Sequence, residues 1–320
     1  MKYKLTVVTT TYNQEKYIED CIRGVINQKT NFKFKFLISD DCSSDGTRNI
    51  IDKYQKKYPD IIKVIYRKKN LGPMDNFINT LNEVHTEYVA LCDGDDFWTD
   101  PNKLQMQVDF LDNNKDYYLC FHKVKIFYED GSKRAVFHPI NMKKKLCFKD
   151  LCSDNFIPAN SVVYRWIYKE KDSLIKDFPK NIIPGDYYVH LMHAFKGKIY
   201  YMPKQMSCYR KNVQGMWWGI NEPDLQIDFY FKNGFKMLNF YDEVEKKLNA
   251  DKELFSWGRA KVLFPLLRSC MVLKKYEELK MIYSKYYKDN SYAFANFYKS
   301  LNIINKIIYL IKTDIFYRFR

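Results

Sequence analysis

The sequence predicts an α/β protein, with an open, mostly parallel sheet flanked by helices and then a helical C-terminal extension. Three observations predict it. Short β-branched runs alternate with amphipathic stretches over the first hundred residues. Each strand-like run closes on a polar or acidic turn, and from about residue 225 β-type runs give way to helical periodicity. Leu5–Thr11 (LTVVTTT) reads as a buried strand ending in the polar turn Tyr12-Asn13-Gln14. Tyr17, Ile18, Cys21, Ile22, Val25 and Ile26 then recur at helical spacing. A second strand over 34–39 runs into the turn Asp40-Asp41-Cys42-Ser43-Ser44-Asp45-Gly46-Thr47, and a helix opens near Thr47 with Ile50, Ile51 and Tyr54 on its apolar face. A strand over 61–66, a helix over 74–83 and a strand over 88–92 continue the alternation.

After Pro101 a helix carries Leu104, Val108 and Leu111. Two strands are expected over 118–121 and 125–128, before the turn Glu129-Asp130-Gly131-Ser132. Helices are expected over 225–248, 255–273, 276–287 and 294–311. The expected organisation is an α/β domain over 1–222 and a helical extension over 223–320.

The 320 residues suffice for a sizeable core, and 11 Gly and 10 Pro exclude collagen-like sequence and long flexible linkers. Fifty-three Lys and Arg against 38 Asp and Glu give a net charge of +15, which attracts polyanions: nucleic acid, anionic lipid or phosphorylated small molecules. The eight Cys form no C-x-x-C pair and several sit in apolar runs, so reduced thiols of a cytoplasmic protein are expected rather than a disulfide frame or a zinc site. No signal-like stretch opens the chain, and no run approaches the roughly 18–20 apolar residues of a membrane span. The tail sets Lys299, Lys306, Lys312, Arg318 and Arg320 against Asp314, with Leu301, Ile304, Ile307, Ile308 and Ile311 at helical spacing. Residues 299–320 are therefore expected either to touch an anionic membrane from its inner face or to pack on the preceding helices.

The chemistry concentrates at the strand ends, where a parallel sheet binds its ligands. Asp93-Gly94-Asp95-Asp96 follows the fourth strand, and three carboxylates in four residues repel one another unless a cation sits among them. Mg²⁺ or Mn²⁺ bound to a diphosphate suits such hard oxygens, while the alternative is an acidic loop capping the next helix. Asp40-Asp41 ends the second strand and Thr10-Thr11-Tyr12 the first, so the three ends converge. There Asp41 can accept a base N–H and Tyr12 can stack on the base. The same acidic turn also reads as an Asx-turn with a helix cap, shaped by Asp45-Gly46-Thr47.

Thr10-Thr11-Tyr12-Asn13, the segment 38–47, Asn70-Leu71-Gly72 and Asp93-Gly94-Asp95-Asp96-Phe97-Trp98 together resemble the family 2 glycosyltransferases of the GT-A fold, over about residues 4–215. The resemblance implies a Rossmann-like sheet and a sugar transferred from a nucleotide-diphosphate sugar to a glycan or lipid-linked acceptor, with inversion and metal assistance, in bacterial surface-polysaccharide assembly. It implies that Thr10, Tyr12 and Asp41 hold the nucleoside, that Asp93 reaches the ribose side, and that Asp95 binds the metal on the diphosphate. Arg67 and Asn70 fall where the family places further nucleotide contacts. In Pro184-Gly185-Asp186-Tyr187-Tyr188, Gly185 replaces a Glu common in the family and leaves Asp186 as the catalytic base; the other reading of Asp186 is the cap of a helix over 187–195. Tyr209-Arg210 and Gln214-Gly215-Met216-Trp217-Trp218 are similar to the family's closing segment, with Arg210 on a phosphate and Trp217 or Trp218 under an acceptor sugar, or else in the core. Processive members carry Gln-x-x-Arg-Trp, and here Trp217 holds the Arg position, which implies single additions. A nucleotidyltransferase acting on sugar phosphates is the rival enzyme, but those usually open with a Gly-rich loop and Thr9-Thr10-Thr11-Tyr12-Asn13 has no glycine. A nucleic-acid-binding protein is the rival from another class; acidic turns at the strand ends repel a phosphate backbone, so no nucleic-acid partner is expected.

Overall fold

The computed structural model describes residues 3–170, 173–212, 215, 217–218, 223–300, 305–306 and 309. The chain divides into two compact units. The first comprises Met1–Leu151, Asn155–Phe178 and Gly185–Asn212, so it ends ahead of the expected boundary at 222.

Its sheet has ten strands: β1 (Leu5–Thr11), β2 (Phe34–Asp40), β3 (Ile62–Tyr66), β4 (Tyr88–Leu91), β5 (Phe97–Trp98), β6 (Tyr117–Tyr128), β7 (Val136–His138), β8 (Lys145–Leu146), β9 (Val163–Arg165) and β10 (Lys198–Lys211). The order is β3-β2-β1-β4-β9-β6-β10-β5, with β7 beside β6 and β8 beside β10. Strands β3, β2, β1 and β4 run parallel, and β9 is antiparallel to both β4 and β6. The chain builds outward from β1 to β3, then returns past β1 to lay down β4. That reversal opens a crevice between the carboxyl ends of β1 and β4.

The helices are placed by their apolar stripes. Helix α1 (Ile18–Ile26) buries Ile18, Cys21, Ile22 and Val25 in one core with Leu5, Val7, Phe36 and Ile38 of the sheet. Each such aliphatic side chain contributes about 1.5–3 kcal/mol. Helix α2 (Thr47–Lys57) adds Ile51 and α4 (Lys103–Asn113) adds Leu104, Val108 and Leu111 to the same core. Helix α3 (Pro73–Leu81) buries Phe77, Ile78 and Leu81 and packs with α7 (Gly185–Lys196) and with the short α6 (Ser173–Asp177). The short α5 (Phe148–Cys152) completes the unit's connections.

One expectation is corrected, and one long strand was not expected. The strands expected over 118–121 and 125–128 are one twelve-residue strand, β6, because the intervening His122 is buried inside the sheet and Val124 packs fully in the core. Strand β10, unmarked by alternation, runs fourteen residues through Pro203; register irregularities between Met202 and Ser207 take up the missing N–H.

The second unit comprises Cys152–Asp154, Pro179–Pro184 and Val213–Arg320. It contains α8 (Pro223–Leu248), α9 (Glu253–Val272), α10 (Tyr276–Tyr286) and α11 (Ser291–Ser300). Its core includes Leu238, Val244, Phe255, Leu263, Leu266 and Leu267. Arg259, almost wholly buried in this unit, pairs with Glu245 at 2.6 Å and Asp242 at 3.3 Å. No helix among the described residues is long and apolar enough to cross a membrane. The tail's apolar positions Leu301, Ile304, Ile307, Ile308 and Ile311, with Lys312, Arg318 and Arg320, lie outside the described residues.

Candidate active site

The strand ends of the first unit are stitched together by main-chain bonds. Cys92 N–H donates to the Val8 carbonyl at 3.1 Å, Gly94 N–H to Thr10 at 3.2 Å and Asp41 N–H to Thr11 at 2.9 Å. Thr10 thus lies between the two acidic turns, and Tyr12, 48% exposed, projects from the end of β1. Asp41 is buried and its two oxygens accept from the N–H groups of Leu71 and Gly72, at 2.8 and 2.9 Å. Gly72 has φ +84°, a left-handed conformation that glycine adopts without strain. Exposed Asn70 also accepts from the Gly72 N–H, at 2.9 Å. Arg67 donates to Asn76 Oδ1 at 3.0 Å and Thr80 Oγ1 at 3.2 Å. One wall of the crevice is therefore a loop over 67–72 pinned by Asp41.

The other wall is acidic. Burial, together with the charges of Asp95 and Asp186, pushes Asp93 up to about 7. Burial also raises Asp95, against the opposing pull of Asn212 and Arg210. Asp186, from the first turn of α7, is raised by burial to about 6, while hydrogen bonds from Tyr187 N–H and Asn155 act the other way. Asp93 and Asp186 are 93 residues apart by number, yet each belongs to the same electrostatic site. Helix α7 begins at Gly185, so Asp186 stands inside the first turn rather than at the cap.

The surroundings hold this turn in place. Asn212 Nδ2 donates to Asp95 Oδ2 at 2.9 Å. Arg210 donates through Nε to the Asp95 carbonyl at 2.9 Å and through Nη2 to Asp20 at 3.0 Å, with its guanidinium carbon 4.7 Å from the Tyr17 ring centre. Asp96 is buried, its Oδ1 accepting the Arg210 N–H at 2.8 Å and its Oδ2 left without a partner. Burial first, then Asp95 and Asp93, hold Asp96 well above the usual carboxylate range. Tyr17 donates to Glu129 at 2.5 Å, and burial leads the causes that push Tyr17 up to about 12.

The residues present fit a divalent cation. No Lys or Arg among the described residues ion-pairs with Asp93, Asp95 or Asp186; Asp95 is met by the Asn212 amide and feels the Arg210 charge. No group of three or more His, Cys, Asp or Glu among the described residues forms a complete metal cage. That pattern suits a cation held by one or two carboxylates and completed by phosphate oxygens.

The family model described as glycosyl transferase family 2 matches residues 6–212. The chain belongs to glycosyl transferase family 2. An uncharacterised protein of Mycobacterium tuberculosis is 40% identical over 213 residues, covering 67% of this chain and 60% of that protein. A Bacillus subtilis protein named as a teichuronic acid biosynthesis glycosyltransferase, TuaG, is 30% identical over 50% of this chain and 61% of its own. The chain thus spans about three fifths of the length of these relatives. Among solved structures, S. aureus TarS 1–349 in complex with UDP-GlcNAc aligns with a TM-score of 0.56 at 19% identity, covering 96% of this chain and 79% of that one. It shares the GT-A fold.

Within the family 2 framework, the structure brings Thr10, Asp41, Asp93, Asp95, Asp186 and Arg210 to the strand ends of the first unit. Trp217 and Trp218 belong to the second unit, where the Trp217 ring lies 5.8 Å from Phe229; Gln214 and Met216 lie outside the described residues. Sequence reasoning missed Asn212, and also Arg48, which bonds buried Asp40 at 2.6 Å and the Arg67 carbonyl at 3.0 Å. It also missed Asn76, which joins Ser39 to Arg67.

Gly94 is a glycine for reasons of space. A Cβ there would collide with Gln14 Oε1 and lie 2.9 Å from Thr11 Oγ1. Gly94→Ala is expected to cost about 1–3 kcal/mol and to lower the midpoint of thermal unfolding. An unchanged midpoint would show that the β1 end yields freely.

Proposed function

We propose that this chain transfers a sugar from a nucleoside diphosphate sugar to a hydroxyl of a glycan or lipid-linked acceptor, with inversion and one addition per encounter. The observation that carries this reading is the shared site of Asp93, Asp95 and Asp186, buried carboxylates from two remote segments that no Lys or Arg ion-pairs among the described residues. Family membership supports a nucleoside diphosphate sugar as the donor, and TarS has been solved with UDP-GlcNAc. The name of TuaG supports an acceptor of the surface-polysaccharide kind. The expected place of action is cytoplasmic, peripheral on the inner face of the membrane.

In this reading Tyr12 stacks on the base, while Thr10, Asp41, Arg67 and Asn70 surround the nucleoside. Asp93 reaches the ribose side and Arg210 the phosphate side. Asp95 holds Mn²⁺ or Mg²⁺, which when bound offsets the charge on the diphosphate. Asn212 orients Asp95 by occupying its Oδ2. Asp186 takes the proton of the acceptor hydroxyl as that oxygen attacks the anomeric carbon. The bond to the diphosphate oxygen breaks on the opposite face, and the nucleoside diphosphate leaves with the electron pair.

Calorimetry with UDP and GDP, each with and without Mn²⁺, tests the donor half. Binding is expected to require the metal and to be lost in Asp95→Ala. Binding of equal strength without metal, unaffected by that substitution, would remove the cation from the reading. Screening nucleotide-sugar hydrolysis then identifies the sugar.

A further inference from the structure

Arg210 grips the acidic turn at two consecutive residues. Its main-chain N–H donates to Asp96 Oδ1 at 2.8 Å and its side-chain Nε to the Asp95 carbonyl at 2.9 Å. Three rings enclose the guanidinium, whose carbon lies 4.7 Å from the centre of Tyr17, 5.1 Å from Phe127 and 5.5 Å from Phe97. The rings confine the group by cation–π attraction, and hydrogen bonds set its direction. Nη2 donates to Asp20 Oδ2 at 3.0 Å, and the Arg210 side chain is 11% exposed. Asp20 stands in the first turn of α1, and one turn further on the helix lies directly against β5: a Cβ at Gly24 would come 2.8 Å from the Trp98 nitrogen. Helix α1 is therefore a firm mount, fixed on the strand that follows the acidic turn.

An arginine beside a carboxylate ordinarily pairs with it, often through two parallel bonds. Here Arg210 meets the carbonyl of Asp95 instead, and among the described residues it makes no ion pair with the Asp95 carboxylate. We propose that Asp20 is a positioning residue of the active site: by holding Nη2 it keeps Arg210 on the main chain of the acidic turn and off the Asp95 carboxylate, which stays open to a divalent cation. This role rests on Asp95 as the cation ligand proposed above. Asp20 is itself 54% exposed, so its ion pair adds little to the stability of the fold, and its effect lies in where Arg210 points. Without that acceptor Nη2 is free to turn to Asp95, which already feels the Arg210 charge, and to compete with the cation for the same oxygens. Nη1 hydrogen-bonds no described residue and remains for the phosphate side.

The test compares the full chain with Asp20→Ala, which removes the acceptor, and Asp20→Asn, which keeps an acceptor oxygen and removes the charge. Hydrogen–deuterium exchange of the free protein reads the brace without nucleotide or metal. The Gly94 and Asp96 N–H groups donate to the Thr10 and Asp93 carbonyls, so a peptide over 93–98 reports opening of the turn. In Asp20→Ala that peptide is expected to exchange about tenfold faster, the share of opening free energy held by one hydrogen bond to a charged group. A peptide over α2 should keep its wild-type rate, which guards against misfolding. Calorimetry with Mn²⁺ and whichever of UDP and GDP the wild type binds then reads the consequence. Asp20→Ala is expected to weaken binding about tenfold or more, the usual effect of removing a partner behind a metal ligand. Asp20→Asn should recover most of the loss in both measurements. Unchanged exchange over 93–98 in Asp20→Ala would overturn the role, and so would nucleotide binding at wild-type strength in that variant. Equal losses in Asp20→Asn and Asp20→Ala would overturn it too, since the charge of Asp20 would then act on the cation through space. A wild type that binds neither nucleotide with Mn²⁺, with exchange still faster in Asp20→Ala, would refute the nucleotide-sugar reading and support the brace.

Discussion

Asp186→Asn is expected to leave nucleoside diphosphate binding intact while lowering glycosyl transfer about 10²–10⁴-fold, the usual contribution of a positioned general base. The substitution keeps the shape and removes the proton acceptor. The pH dependence follows from the same group. Asp186 is raised to about 6 by burial, and it must be ionised to accept a proton, so kcat/KM is expected to fall as pH drops through about 6. A cation on the neighbouring carboxylates favours the ionised form, so the corresponding limb in kcat lies at lower pH. The histidine beside it does not compete. His190 Nε2 lies 3.8 Å from Asp186, but burial pushes His190 down to about 3. Its neutral ring is held by Tyr164, which donates to Nδ1 at 2.6 Å, and by the Ile157 carbonyl, which accepts from Nε2 at 3.2 Å. The measurement is a pH–rate profile of wild type and variant with a hydrolysed or transferred nucleotide sugar. Full transfer activity in Asp186→Asn would place the base elsewhere.

The legibility of this protein tracks how local each determinant is. Strand β1 and helix α1 are readable because β-branched runs and a 3.6-residue stripe are properties of neighbouring residues. The acidic turn at 93–96 is readable because mutual repulsion within four residues demands an explanation. Strand β10 is not, since Pro203 breaks its pattern and the bulge that absorbs it exists only against β6. Asn212 is invisible for the same kind of reason: its partner Asp95 lies 117 residues away, and an Asn after a strand carries no signal of its own. Arg48 reads as one more surface cation on a helix, yet it neutralises a carboxylate with no exposed side-chain surface, Asp40, beneath the crevice. Asp41 shows the intermediate case. Its place at a strand end was legible, but its two bonds to the 71–72 amides depend on where α3 begins.

Lys103→Met is expected to stabilise the protein, and by an amount that depends on pH. Lys103, in the first turn of α4, is wholly buried and its Nζ has no hydrogen-bond partner. Burial lowers it from 10.5 to about 7. Between those values the unfolded chain holds a proton that the folded chain releases, so the wild type gains stability as pH rises from 7 towards 10.5 and carries the full penalty below 7. Integrated from pH 6 to pH 9, the linkage is about 2–3 kcal/mol. The variant should therefore exceed the wild type by that much more at pH 6 than at pH 9. Comparing the two proteins cancels the titration of buried groups that the Lys103 charge does not reach, His190 and His193 among them, while buried His122 and Cys120 feel that charge and are relieved of it in the variant. The ring of Trp98, 4.0 Å from the ammonium, returns part of the cost as a cation–π contact. Trp98 belongs to β5, directly after the acidic turn, and is fixed by its Nε1–H to the Asn160 carbonyl at 2.8 Å. A stabilised Lys103→Met that binds nucleotide and Mn²⁺ more weakly would show the buried cation stiffening the strand that follows the acidic turn. Urea unfolding at the two pH values decides the first point, since a gap that does not change with pH means that the amine keeps its proton in the fold.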